Sequence, residues 1–190
     1  MNMRAAPSFG LFGSELITYI GEVAMLAALL ESKLADISMG LGPKSQREYA
    51  GEFGSKSSAF IKERLKSYRE QPSEMRESRR ILEFVNDAAE VLRRRNDVVH
   101  RVWLPVESSG IYRGHKAKLR KGKGAVNWTD WGEKGGYTDK QFDKLVAELE
   151  DLILRARDIV PVAGALGADK RVARSERSRL LRVVARWKRF

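Results

Sequence analysis

"ILEFVNDAAEVLRRRNDVVHRVWLP", residues 81–105, holds the pattern that decides the fold. Ile81, Val85, Ala88, Leu92, Arg95 and Val99 recur in alternating steps of four and three, the seam of a helix packed among other helices. One member of that apolar register is charged. Upstream, Ser73 supplies an N-cap, and Glu74 and Glu77 stand in the first turns, where the helix dipole favours anions. Downstream, Pro105 blocks continuation. The spacing predicts a long helix over residues 73–101.

The same periodicity recurs on both sides. Leu16, Ile20, Val23, Ala27, Leu30, Leu34 and Ile37 predict a helix from Ser14 to Ser38, stopped by "MGLGPKS" at 39–45. Phe60, Ile61, Leu65 and Tyr68 predict a shorter helix over 58–68. Toward the C-terminus, Thr138 and Gln141 form a capping box. The next stripe, Phe142, Leu145, Leu149, Leu152, Ala156 and Ile159, is expected to end before Pro161, with "PVAGALGA" as a linker. Between the third and fourth helices the composition changes to β-branched and aromatic residues flanking Lys- and Gly-rich turn material. This predicts an exposed β-hairpin, Ile111 to Leu119 paired with Ala125 to Trp131.

The expected fold is therefore mainly α: an up-and-down bundle of about four core helices, with an inserted β-hairpin and a basic C-terminal tail or helix. Residues 1–162 are assigned to the bundle, with the hairpin at about 111–131. Residues 163–190 are assigned to the linker and tail.

Composition narrows the chemistry. The chain has 190 residues and no cysteine, so disulfides and thiolate-bound metals are excluded. A cytoplasmic location is the default, and the longest apolar run, Val23 to Leu30, is too short to cross a bilayer. The formal charge is +11, and from Asp169 to Phe190 there are nine Lys or Arg against two acidic residues. Such a tail fits a polyanion partner, because cations gain affinity by displacing phosphate counterions. Solubility alone is the competing explanation.

Arg95, Asn96 and His100 at the end of the third helix are the candidate site. A guanidinium in an apolar stripe keeps its charge and needs a partner. Asn96 and His100, four residues apart, share a helix face, whereas Arg95 and His100 lie about 140° apart on an ideal helix. Either the helix loosens near Val99, or a second protomer completes the groove. Histidine takes and returns protons near neutrality, arginine offers a planar fork for phosphate, and asparagine orients a hydroxyl, a phosphate or the imidazole. Together they suit RNA cleavage, in which the 2′-hydroxyl attacks the adjacent phosphorus. No compact carboxylate and histidine cluster suited to a two-cation nuclease is evident, so no metal or other cofactor is expected.

Arg95-Asn96-Asp97-Val98-Val99-His100 resembles the Arg-x4-6-His signature of HEPN domains, in which Asn, Asp or His often follows the arginine. The setting agrees: the signature closes a core helix and one further amphipathic helix comes later. The resemblance implies a bundle that dimerises so that two Arg/His motifs face each other across a cleft, with metal-independent endoribonuclease activity. Many family members act as toxins or in defence against invading nucleic acid, which implies RNA as substrate, a homodimer, a cognate antitoxin or regulatory protein, and no membrane. The family also contains inert copies, and its pattern does not account for the basic tail.

Plain structural roles compete with these assignments. His100 could simply place a cation at a helix C-terminus, and Arg95 could bridge to Asp97, Glu90, Glu22 or Glu31. The nucleic-acid-binding candidates are Arg93, Arg94 and Arg101 beside the motif, Lys116, Lys118, Arg120, Lys121 and Lys123 in the hairpin, and Arg182 and Arg186 in the tail. Solvated charge is the alternative for each. His115 is expected to be merely exposed, and Tyr112, Trp128 and Trp131 either stack bases or pack on the bundle. Beside the ribonuclease stand a non-catalytic RNA- or DNA-binding or regulatory module and a structural partner in a larger complex.

Overall fold

The computed structural model describes residues 14–42, 57–68, 72–100, 102–104, 111–119, 126–130 and 137–187. Among these the fold is mainly α, a helical bundle with strands inserted before its last helix. The helices are α1 (Ser14–Gly40), α2 (Ser57–Leu65), α3 (Pro72–Val99) and α4 (Asp139–Trp187). The strands are β1 (Val102–Leu104), β2 (Ile111–Leu119), β3 (Val126–Asp130) and β4 (Tyr137–Thr138).

The chain divides into two compact units, residues 1–28 with 90–151 and residues 29–89 with 152–190. The long helices α1, α3 and α4 each contribute residues to both.

In the first unit the core is aromatic. Phe142, fully buried at the start of α4, is flanked by Tyr19 at 4.9 Å, Tyr137 at 4.8 Å, and Trp103 and Tyr112 each at 5.7 Å between ring centroids. One ring each comes from β1, β2 and β4, so the strands are held where the sequence supplies large apolar payload. β2 pairs antiparallel with β3, His115 opposite Asp130 through Leu119 opposite Val126, in agreement with the expected hairpin. Two further pairings were not anticipated: β1 lies along β2 with Trp103 opposite Gly114, and β4 pairs with its start, Tyr112 opposite Tyr137. The capping box is formed as expected, with the Thr138 amide donating to Gln141 Oε1 at 2.8 Å.

In the second unit the sequence-based expectation fails at one place. α4 runs unbroken through Pro161 to Trp187, so the expected linker after Pro161 is helix. The physical reason is burial on the far side of the proline. Ala163 and Leu166 are buried and continue the stripe of Leu152, Ala156 and Ile159 in the same steps of four and three. Pro161 itself is exposed, on the side where water can reach the carbonyl it leaves without a donor. The glycines of "GALG" are also not linker residues. A Cβ on Gly40 would come within 2.8 Å of the Gly164 amide nitrogen, and one on Gly167 would collide with the Gly40 carbonyl. The end of α1 therefore meets α4 backbone to backbone, which only residues without a side chain permit.

The cap of α1 is Gly42, at φ 152°, where Tyr68 closes the turn by donating its hydroxyl to the Leu41 carbonyl at 2.6 Å. Among the described residues, no helix is long and apolar enough to cross a membrane.

Candidate functional site at the end of α3

The last turns of α3 present the candidate residues in a regular helix. The His100 amide donates to the Asn96 carbonyl at 3.1 Å, a bond from i to i−4, so the turn stays α-helical as far as His100. Helix loosening before His100, one of the two ways of bringing Arg95 and His100 together, is absent. Beyond this turn Trp103, 6% exposed, donates its indole N–H to the Val98 carbonyl at 3.0 Å. One of the carbonyls that a helix end leaves without an intrahelical donor is thereby satisfied, and the chain is turned into β1.

The buried register differs slightly from the one read from sequence. Val91 and Val98 are buried, whereas Leu92 and Val99 are half-buried. Arg94 and Arg95 fall between them, and both are half-buried. Each of the three consecutive arginines has a different neighbour. Arg93 makes a two-point ion pair with Glu90, at 2.6 and 3.1 Å. That hydrogen bond holds the Glu90 carboxyl below the ordinary range and raises Arg93 in turn. Arg94 reaches across to Glu148 on α4 in a short ion pair. Arg95 donates Nη1 to the side-chain oxygen of Asn96 at 3.1 Å.

Asn96 and His100 are exposed. The structure thus brings Arg95 and Asn96 into contact and gives Asn96 and His100 a shared helical turn. The ion pair from Arg94 to Glu148 on α4 was not among the pairings expected at this turn. Register also places the chain's second histidine nearby in the backbone: His115 lies opposite Val102, two residues beyond His100. Nothing local in the sequence marks His115; the signal that places it here is the pairing of β1 with β2, which periodicity does not carry.

The remaining described nucleic-acid candidates stand on different elements. Lys116 and Lys118 are on β2, paired with Thr129 and Asn127, and Arg182 and Arg186 are on the last turns of α4. Arg101, Arg120, Lys121, Lys123 and Trp131 lie outside the described residues. Tyr112 packs on Phe142 and is 4% exposed, so it is a core residue. Burial pushes its hydroxyl up to about 12, and hydrogen bonding to Asp139 adds to the shift. Among the described residues, no group of three or more histidine or acidic side chains stands together to hold a metal ion. Comparison of the chain with protein-family models, with curated proteins and with solved structures finds no match in any of the three.

Proposed function

We propose that the chain is a metal-independent endoribonuclease of HEPN type, working as a homodimer in the cytoplasm as a toxin or defence effector. In this reading His100 moves the proton between the 2′-hydroxyl and the leaving oxygen, Arg95 stabilises charge on the phosphoryl oxygens, and Asn96 orients the guanidinium. The observation that carries it is the polar turn of half-buried Arg95 and exposed Asn96 and His100, with the Arg95 to Asn96 hydrogen bond at 3.1 Å, set on a helix whose buried residues resume at Val98. A guanidinium held by a neighbouring amide and an accessible imidazole are the two groups that this reaction needs without a cation. Because the turn is regular through His100, the Arg95 of one copy and the His100 of another are the groups expected to share a phosphate. RNA is the substrate, and a cognate antitoxin or regulatory protein would act by covering this turn.

The test is incubation of the wild type and His100→Ala with defined RNA oligonucleotides in EDTA, reading the termini produced. Wild type is expected to leave cyclic phosphate ends, and His100→Ala to lose at least about a hundredfold in rate with an unchanged melting temperature. Undiminished cleavage by the variant, or abolition of wild-type cleavage by EDTA, sinks the proposal. A second reading, a non-catalytic RNA- or DNA-binding module, draws on the positive surplus of residues 169–190. It predicts binding that weakens steeply with salt and no cleaved ends.

A further inference from the structure

Within the second unit, α2 and α3 enclose a groove of about 340 Å³ that the ribonuclease reading does not use. Its floor is Leu65, Tyr68 and Ser78, all buried. The floor's hydroxyls are spent internally, Tyr68 on the Leu41 carbonyl and Ser78 on the Tyr68 carbonyl at 3.1 Å. What it offers a ligand is therefore mainly apolar surface. Met75 and Leu82, seven residues apart on α3, add two large apolar side chains that are 49% and 36% exposed.

The rim is cationic. Lys62, Lys66 and Arg79 line the groove, and among the described residues no carboxylate does, in a chain with 25 acidic residues. Lys66 is partly occupied by Glu63 at 2.5 Å, an exposed pair outside the lining. Lys62 and Arg79 form no ion pair among the described residues. An apolar floor with satisfied polar groups, exposed apolar walls and a rim on which Lys62 and Arg79 remain uncompensated among the described residues recognises one kind of molecule: an apolar body carrying a negative head. The volume lies at the small end of the range for small-molecule sites, roughly 300–1,000 Å³, which favours a compact ligand over a long peptide segment.

We propose that the groove between α2 and α3 is a binding site for a small anionic amphiphile, a molecule with an aromatic or aliphatic body and a carboxylate, sulfonate or phosphate head. The body lies on Leu65 and Tyr68 between Met75 and Leu82, and the head is held by Lys62 and Arg79. This site is independent of the turn at His100.

The test uses the full chain and two fluorescent probes with related bodies, the anionic 1-anilinonaphthalene-8-sulfonate and the uncharged N-phenyl-1-naphthylamine. Fluorescence titration at low salt is expected to show the sulfonate binding more tightly than the uncharged probe, with the preference shrinking as salt screens the rim. The double substitution Lys62→Gln with Arg79→Gln is expected to weaken sulfonate binding about tenfold, as for two exposed ion contacts, and to leave the uncharged probe within about twofold. Both positions are surface cations, so circular dichroism and melting should not change. Leu82→Glu, which adds a carboxylate to the wall, is a second variant, expected to abolish sulfonate binding. Undiminished sulfonate affinity in both variants overturns the proposal, as does an equal loss for the two probes. Displacement of the sulfonate by an RNA oligonucleotide from the wild type but not from the double variant also overturns it, assigning the rim to nucleic acid instead.

Discussion

The last turns of α3 and the crossing of α1 with α4 meet opposite demands. At the end of α3 three consecutive arginines must be placed on a helix that still buries Val98, and each finds a different partner, Glu90, Glu148 and Asn96. At the crossing, Gly40 and Gly167 bring two backbones together by having nothing to place at all. Polar side chains at the first region can be exchanged at modest cost because water is close by. At the second, a methyl group on Gly40 or Gly167 has no room, since the neighbouring atoms are backbone and cannot rotate away. Side-chain chemistry is the adjustable part of this molecule, and helix proximity is the inflexible part.

The glycines provide the sharpest way to break that contrast. Gly167→Ala places its new carbon against the Gly40 carbonyl, and overpacking of this kind costs about 1–3 kcal/mol or more. The expected fall in melting temperature is roughly 2–12 °C for a chain of 190 residues. Gly164→Ala, whose new carbon meets nothing within 4 Å, is expected to raise stability by up to about 1 kcal/mol through helix propensity. Thermal melts of the two variants with the same sign of change would show that the crossing is not the constraint described.

Alkaline titration addresses the aromatic core of the first unit. The Tyr112 hydroxyl is raised from 10.0 to about 12 by burial, then by Asp139. The folded state therefore holds that proton after the unfolded chain has released it. Stability supported by Tyr112 is fully present below pH 10 and falls as pH climbs toward about 12. Denaturation followed across that window should show a shallower loss for Tyr112→Phe than for the wild type. Equal slopes would mean that Tyr112 ionises in the folded protein as it does in water.

The smallest effect is expected at the ion pair. Arg94 and Glu148 are about a third exposed, and pairs of this kind are worth about 0–1 kcal/mol. A double-mutant cycle of Arg94→Gln and Glu148→Gln, read by urea denaturation, should return a coupling energy in that range. A coupling well above it would make charge, in addition to aromatic packing, a main tie in the first unit.

Sequence legibility followed the same division. Periodicity located α1, α2 and α3 and the start of α4, because buried stripes at steps of three and four are written locally. Thr138 and Gln141 were readable for the same reason, since a capping box involves residues three apart. The far half of α4 was equally present, with Ala163 and Leu166 in register, yet Pro161 and two glycines carry strong local signals for a break. Tertiary burial outweighed those signals, and no rule confined to neighbours along the chain weighs it. β1 was missed because three residues have no period, and its partner lies across an intervening segment. Arg95 was readable as an intruder in the stripe, whereas the pairing of its neighbour Arg94 with Glu148 on α4 was not. A rotation of one residue about the helix axis is finer than spacing alone resolves.

The indole of Trp103 closes α3 by bonding to the Val98 carbonyl. A buried indole bonded to a carbonyl emits according to its immediate surroundings, so this side chain is a built-in optical gauge of the turn that carries His100. The chain contains three other tryptophans, at 128, 131 and 187. The difference spectrum between wild type and Trp103→Phe isolates its signal, letting occupancy of that turn be watched without any attached label.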